Sequence, residues 1–237
     1  MTRLSVNINK VALLRNARGS NLPDLIQVAK DCEAFGAEGI TVHPRPDQRH
    51  IRFDDIPALR EVVTTEFNIE GNPTPDFLKL VLENPPHQCT LVPDSTEQLT
   101  SDHGWDPIAH AAFLREVIAA LHEKNIRVSI FLDPEPRLVE GAKATGADRI
   151  ELYTGPYAHT FPADPLSAVA PYTETALEAA RVDIGLNAGH DLNLDNLRYF
   201  RDHCPELLEV SIGHALICDA LYYGLANTIR MYLRQLR

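Results

Sequence analysis

The segment Gly39-Ile-Thr-Val-His43-Pro-Arg45-Pro46 is a short, mainly apolar run followed by a histidine, an arginine and two prolines. Its β-branched residues, bounded by glycine and proline, predict a strand that is buried on both faces. Because proline cannot donate to a sheet ladder, we expect the strand to end at His43 and a basic loop with Arg49 and His50 to follow. An imidazole at a strand end beside guanidinium groups suits acid–base chemistry on an anion. A solvated surface loop has the same composition and is the alternative.

The same alternation of strand and helix extends along the whole chain. Strands are predicted at residues 4–8, 39–43, 65–70, 88–92, 127–132, 149–153, 183–187 and 208–212. Helices are predicted at residues 21–35, 54–62, 75–83, 107–124, 135–145, 165–181, 194–202 and 214–236. We expect a basic loop rather than a helix at residues 9–19, and Pro171 to interrupt its helix.

Eight alternations with short connections are typical of a closed parallel (β/α)8 TIM barrel. A doubly wound open sheet is the alternative, but no G-x-G-x-x-G motif follows the first strand. Since no linker or low-complexity segment divides the chain, residues 1–237 are predicted to form a single barrel domain.

Composition excludes several classes of protein. The 237 residues have a formal net charge of -11, which argues against nucleic acid or an anionic membrane as a partner. There is no apolar run of membrane-spanning length and no signal-peptide pattern at the start, so we expect a cytoplasmic protein. The four cysteines have no zinc-ligand spacing and indicate a reducing compartment. Basic residues in the first quarter, among them Lys10 and Arg18, nevertheless suggest a local anion site.

Polar residues recur where predicted strands end, and in a barrel that edge carries the reactive face. They are Asn7, His43, Glu70, Glu151, Asn187, His190, Gly213 and His214. Histidines and buried carboxyl groups there suit general acid–base catalysis, although a structural ion pair is the alternative for each glutamate.

Two anion sites are predicted at this face. Gly213-His214 opens a helix, whose N-terminal N–H groups suit a phosphate. Arg18, Arg45 and His50 suggest a second site on the opposite wall. The pair of sites predicts two phosphorylated substrates or one bisphosphate.

The same residues are compatible with two other functions. His43, His190, His214 and Glu70 are possible Zn²⁺ ligands of a metal-dependent barrel hydrolase, but the first strand ends in Asn7-Ile-Asn9 rather than His-x-His. A non-catalytic barrel that binds phosphorylated sugars needs the anion sites but not the acids and bases.

Seven ordered motifs carry a family resemblance over nearly the whole chain. They are Leu4-Ser-Val-Asn-Ile, Leu14-Arg-Asn-Ala-Arg-Gly, Gly39-Ile-Thr-Val-His-x-Arg, Arg49-His-Ile, Glu151-Leu-x-Thr-Gly, Asn187-Ala-Gly-His and Ile212-Gly-His-Ala. Together they resemble the pyridoxine 5′-phosphate synthase family of the deoxyxylulose-dependent route to vitamin B6. The resemblance implies a cytosolic (β/α)8 barrel with additional helices, assembled as a homo-octamer, that needs no cofactor and no metal. It also implies the condensation of 1-deoxy-D-xylulose 5-phosphate with 3-amino-2-oxopropyl phosphate to pyridoxine 5′-phosphate, phosphate and water.

The resemblance also implies roles for individual residues. His43 and Glu70 match the general bases, His190 the general acid, and Glu151 a group that stabilises charge in the transition states. The residues that match the deoxyxylulose phosphate site are Arg45, His50 and Thr100. Those that match the aminoketone phosphate site are Asn7, Arg18, Asp191 (through its backbone), Gly213 and His214. The loop at residues 93–106, which carries Thr100, is expected to act as a lid.

Two positions depart from the family pattern. Asn9-Lys10 stands where the family pattern has Asp-His, and Asp191 stands where it has glycine. Our hypothesis is that Asn9 and Lys10 still bind the deoxyxylulose unit through hydrogen-bond donors, with Lys10 near its carbonyl or phosphate.

Overall fold

The computed structural model describes residues 1–94 and 100–237. Its eight parallel strands close into a barrel in sequence order, with the last strand hydrogen-bonded to the first. The strands are β1 Arg3–Asn7, β2 Gly39–Val42, β3 Glu66–Gly71, β4 Gln88–Leu91, β5 Arg127–Leu132, β6 Arg149–Tyr153, β7 Gly185–His190 and β8 Leu207–Ile212. The predicted (β/α)8 fold is confirmed.

Helices follow every strand in the described part of the chain, and there are more than the eight a minimal barrel needs. They are α1 Asn9–Asn16, α2 Leu25–Ala34, α3 Asp55–Val62, α4 Pro75–Glu83, α5 Ala111–His122, α6 Pro136–Ala144, α7 Gly155–Thr160, α8 Pro165–Arg181, α9 Leu197–His203, α10 His214–Tyr223 and α11 Leu225–Gln235. None of the helices in residues 1–94 and 100–237 is long and apolar enough to cross a membrane.

The hydrophobic core lies between the strands and the surrounding helices. On β2, Ile40 and Val42 are completely buried and belong to this core, whereas Thr41 between them bonds to Ser5 and Asn68 on the neighbouring strands. Alternate residues of a strand point to opposite faces, so the aliphatic set faces outward and the polar set faces the barrel axis.

The interior of the barrel is correspondingly polar. The Thr90 hydroxyl on β4 lies 3.1 Å from Asn68 Oδ1 on β3 and 3.4 Å from Glu151 Oε2 on β6. Because β4 and β6 are not neighbours in the sheet, Thr90 and Glu151 meet inside the barrel. The interiors of such barrels are more commonly filled with branched aliphatic residues, so the polar filling of this barrel is unusual.

The expectation of a loop at residues 9–19 was wrong. Helix α1 forms there although it has no side-chain cap and no strong apolar stripe. Its Arg15 is buried and donates from both terminal nitrogens to Asp55, at 2.7 and 2.9 Å. Short helices depend on tertiary packing, and a buried ion pair to α3 is not visible in local sequence.

Other element boundaries also differ from the predictions. The closing helix is divided at Gly224, whose φ of 76° suits glycine and ends α10 before α11 begins. Helix α8 runs through Pro171 without interruption, because one of its faces is packed into the core. Helix α7 forms in a segment expected to be a loop, and β7 begins and ends later than predicted, which places His190 on the strand.

Candidate active site

A cavity of about 260 Å³ opens at the carboxyl ends of the strands, where the polar strand ends were predicted to converge. Eleven of the proposed site residues line it, and they are Asn7, Asn9, Lys10, His43, Glu70, Thr100, Glu151, His190, Asp191, Gly213 and His214. Residues from β1, β2, β3, β6, β7 and β8 therefore meet in one polar cavity.

Three predicted anion-binding residues do not line this cavity. Arg45 is buried beside it, lines a smaller adjoining cavity of about 140 Å³ together with His43, and lies 2.5 Å from Asp94. His50 is also buried; its Nδ1 accepts a hydrogen bond from the Ile51 N–H at 2.9 Å. Arg18 is exposed and lines neither of these two cavities.

His43 is a neutral imidazole at neutral pH. Its backbone N–H, just beyond the end of β2, donates to Asn9 Oδ1 at 2.9 Å. Burial, followed by the positive charge of Arg45, lowers the pKa of His43 well below its ordinary value. Burial and the charge of Arg45 also lower the pKa of His50, to about 4. A buried neutral imidazole beside fixed positive charge is suited to accept a proton from a substrate.

Two carboxyl groups, those of the half-buried Glu70 and the buried Glu151, line the same cavity as this imidazole. Burial and then the charge of Glu151 raise the pKa of Glu70 well above its ordinary value. Burial raises the pKa of Glu151 to about 7. Within the described ranges neither side chain forms a salt bridge, so the structural ion-pair alternative is wrong for both. Carboxyl groups with raised proton affinity are suited to acid–base catalysis.

His190 lies at the end of β7 with a polar partner on each ring nitrogen. Its Nε2 lies 2.8 Å from the Thr100 hydroxyl, and its Nδ1 lies 2.6 Å from the Asp191 carboxylate. Its backbone has a φ of 98°, which is uncommon for a residue with a side chain.

Two glycines allow the strand ends to approach closely. A Cβ atom on Gly189 would lie 2.5 Å from Glu151 Oε1 and 2.9 Å from the Ser211 backbone oxygen. A Cβ atom on Gly213 would lie 3.1 Å from the Asn7 backbone oxygen. Gly213 immediately precedes α10, so the N-terminus of that helix, with its partial positive charge, faces the cavity.

The sequence reasoning missed two groups. Thr90 contacts Glu151 inside the barrel. The alternation of polar and apolar residues on β4 indicates that the Thr90 side chain points inward. Asp94 pairs with Arg45, and no local signal marks that contact between separate loops.

A model of the family described as "Pyridoxal phosphate biosynthesis protein PdxJ" matches residues 4–237. The chain belongs to this family. Relatives named pyridoxine 5′-phosphate synthase from Cytophaga hutchinsonii and Bacteroides fragilis are each 59% identical to it over 237 residues, covering 100% of both chains. The family resemblance carried by the seven motifs is therefore confirmed.

Solved structures with little sequence similarity share the fold. Phosphoribosyl anthranilate isomerase from Thermotoga maritima gives a TM-score of 0.61 at 14% identity, covering 100% of this chain and 98% of that one. Thiamine phosphate pyrophosphorylase from Pyrococcus furiosus gives 0.64 at 11% identity, covering 99% and 95%. At such low identity the likeness shows the barrel fold alone.

Proposed function

We propose that this member of the PdxJ family is a pyridoxine 5′-phosphate synthase that condenses 1-deoxy-D-xylulose 5-phosphate with 3-amino-2-oxopropyl phosphate. Relatives of that name are 59% identical over the full length. The observation that carries the proposal is the meeting of neutral His43 with Glu70, Glu151 and His190 in one cavity. A condensation that closes a ring and releases water and phosphate needs several proton transfers, and these groups supply them.

His43 and Glu70 act as the general bases. The neutral His43 ring accepts a proton as the substrate amine attacks the ketone, and Glu70 removes a carbon-bound proton when the ring closes. His190 donates a proton to a departing oxygen. Glu151 stabilises the positive charge that develops on the nitrogen, because its carboxyl group is poised to ionise near neutral pH.

Substrate phosphates occupy opposite sides of the mouth. The N-terminus of α10 at Gly213 and His214, together with Asn7 and the backbone of Asp191, holds the aminoketone phosphate. The family resemblance adds Arg18, which is exposed and lines neither of the two cavities. Arg45, His50 and Thr100 hold the deoxyxylulose phosphate. The positions of Gly213 in the cavity wall and of Arg45 beside His43 support this assignment.

Asn9 and Lys10 contribute donors to the deoxyxylulose unit. The side-chain oxygen of Asn9 accepts a hydrogen bond from the His43 N–H, which leaves the side-chain NH₂ group of Asn9 to face the ligand. Lys10 is exposed at the rim of the cavity, within reach of a carbonyl or phosphate.

The enzyme works without a cofactor or metal, as a cytoplasmic homo-octamer. The octamer rests on the family resemblance, and three large side chains at the end of α10 support an interface: Leu221, Tyr222 and Tyr223 are 74%, 86% and 52% exposed. The proposed lid at 93–106 includes residues 95–99, which lie outside the described residues.

The alternative of a metal-dependent hydrolase has less support. Across residues 1–94 and 100–237, no three His, Cys, Asp or Glu side chains are grouped so that they could share an ion.

The decisive experiment is to measure pyridoxine 5′-phosphate formation from the two phosphorylated substrates in the presence of a chelator. We expect product with the unmodified enzyme and a loss of at least about 100-fold in kcat for His43→Ala and Glu70→Gln, the range typical of a lost acid–base group. His159→Ala and Glu123→Gln are matched controls, since both side chains are exposed and lie outside the cavity. If folded enzyme forms no product, or does so only without chelator, the proposal is wrong.

The role of Lys10 is tested separately. Lys10→Met should raise KM for deoxyxylulose phosphate and leave KM for the aminoketone phosphate nearly unchanged. An unchanged KM for deoxyxylulose phosphate would exclude the contact. Borohydride trapping of a covalent adduct would instead indicate a Schiff base on Lys10.

A further inference from the structure

We propose that Asp191 is a positioning residue for His190. Its carboxylate orients the imidazole with Nδ1 as a hydrogen-bond donor and directs Nε2 toward the cavity. This inference rests on the proposed function, because it explains how His190 serves as the general acid.

The ring geometry assigns the proton on Nδ1. Asp191 Oδ2 lies 2.6 Å from His190 Nδ1, and an ionised carboxylate can only accept a hydrogen bond. Nδ1 therefore carries hydrogen, and Nε2, which lies 2.8 Å from the Thr100 hydroxyl in the cavity wall, is the nitrogen that exchanges a proton with a ligand.

The backbone around the pair is fixed in the conformation that brings the two side chains together. His190 has a φ of 98°, and a residue with a side chain keeps such a conformation only where its surroundings enforce it. The buried Thr154 hydroxyl provides that enforcement: it donates to the Gly189 carbonyl at 2.7 Å and accepts from the Asp191 N–H at 3.2 Å. The residues before and after His190 are thus bound to one side chain.

A third contact limits the rotation of the ring. The phenol ring of Tyr153 meets the imidazole edge to face, with ring centres 5.6 Å apart. With Thr100, Asp191 and Tyr153 around it, the ring has one preferred orientation.

The charges around the pair favour an ionised Asp191. Although burial opposes it, the hydrogen bond and charge of His190, followed by the charge of His214, lower the pKa of Asp191. A carboxylate beside an imidazole fixes the tautomer and the orientation of the ring, as in aspartate–histidine pairs of other enzymes. The other titratable groups near His190, or near the Tyr153 ring that packs on it, are Glu151, His43, His214, Asp102 and Asp133.

The first test does not depend on catalysis. Nitrogen-15 NMR of the complete enzyme with labelled histidine reports which ring nitrogen of His190 carries hydrogen in the neutral imidazole. In wild type we expect hydrogen on Nδ1, and in Asp191→Asn, whose amide can donate as well as accept, we expect a mixture of the two tautomers. Asp191→Glu should keep the hydrogen on Nδ1, and the exposed Asp195→Asn should leave the His190 signals unchanged. The same tautomer distribution in wild type and Asp191→Asn would overturn the proposal.

The second test is kinetic. Asp191→Asn should lower kcat at least about tenfold, because a ring in the wrong tautomer cannot exchange a proton at Nε2, with KM for both substrates within about twofold of wild type. A rise in KM with kcat unchanged would mean that the carboxylate binds substrate instead. If wild type makes no pyridoxine 5′-phosphate but the His190 tautomer distribution still changes in Asp191→Asn, the proposed function fails and the Asp191–His190 pair stands.

Discussion

Asn9 shows how one residue determines the geometry of the site. Its side-chain oxygen accepts from the His43 N–H at 2.9 Å, and its own N–H donates to Asn7 Oδ1 at 3.0 Å. Two amide side chains thus connect the end of β1 to the end of β2. An aspartate at position 9 would offer the same acceptor oxygen, so the departure from the family pattern at this position preserves the contact that orients His43.

Glu151 should make the stability of the folded protein depend on pH. Burial raises its pKa from an ordinary 4.5 to about 7, so between these values the unfolded chain releases the proton first. The contribution of this carboxyl group to the free energy of unfolding is fully present below pH 4.5. That contribution falls by about 3 kcal/mol as the pH rises through 7. Urea unfolding of Glu151→Gln across this range should therefore show a shallower fall in the free energy of unfolding than wild type.

Two comparisons isolate the effect of Glu151. The buried histidines His43 and His50 have lowered pKa values and act in the opposite direction in both proteins. The difference between the curves therefore reports Glu151 together with the effect of its charge on Glu70. The exposed Glu123→Gln should reproduce the wild-type slope. Parallel curves for wild type and Glu151→Gln would show that the carboxyl group ionises normally.

At the scale of elements, Asp94 connects the loop after β2 to the loop after β4. Its Oδ2 lies 2.5 Å from Arg45 and accepts from the Ser101 hydroxyl at 2.7 Å, and its backbone oxygen accepts from Asn72 at 2.8 Å. The Arg45 and Asp94 side chains are only 6% and 3% exposed. Removing one partner of a buried ion pair leaves the other charge desolvated without its counterion.

Asp94→Ala should therefore destabilise the protein by about 3–5 kcal/mol in denaturant unfolding. Ser101→Ala removes a single hydrogen bond and should cost about 1 kcal/mol. The pair of half-buried Arg49 with exposed Asp47 in the same loop as Arg45 is the control, and Asp47→Asn should cost less than about 1 kcal/mol. Equal losses in the free energy of unfolding for Asp94→Ala and Asp47→Asn would mean that the buried pair stabilises the protein no more than the Arg49–Asp47 pair does.

At the scale of the whole molecule, the barrel has an apolar outer layer and a polar interior. Thr41 is completely buried in that interior, 2.7 Å from the Ser5 hydroxyl and 3.4 Å from Asn68 Nδ2. Val42, the next residue, is completely buried in the outer layer. Consecutive residues of one strand therefore need opposite chemistry.

A substitution that exchanges polar for apolar character, or the reverse, should destabilise the protein at both positions. Thr41→Val is nearly isosteric, yet it removes the partner of the Ser5 and Asn68 groups and should lower the free energy of unfolding by about 1–3 kcal/mol. Val42→Thr buries a hydroxyl group among aliphatic side chains and should also destabilise the protein by about 1–3 kcal/mol. Thermal and urea unfolding measure both, and a stabilised Thr41→Val would contradict a hydrogen-bonded interior.

Features that depend on local chemistry could be predicted from the residues alone. Strand β2 ends before Pro44 because proline cannot continue the ladder, and Thr74 with Pro75 begins α4 as predicted, with the Thr74 hydroxyl accepting from the Phe77 N–H. Parallel strands in sequence order bring their carboxyl ends to one face, so His43, Glu70, Glu151 and His190 were expected together before any contact was known.

Which side chains meet depends on the folded barrel. The partners of Arg15, Arg45 and Glu151 lie on separate elements, and Thr154, from the end of another strand, binds the backbone beside the contact of Asp191 with His190. The pKa values of His43 and Glu70 likewise follow from burial and from charges on other strands. These properties depend on distances across the closed barrel, which hydrophobic periodicity and turn chemistry do not specify, because both act between residues that are near in the chain.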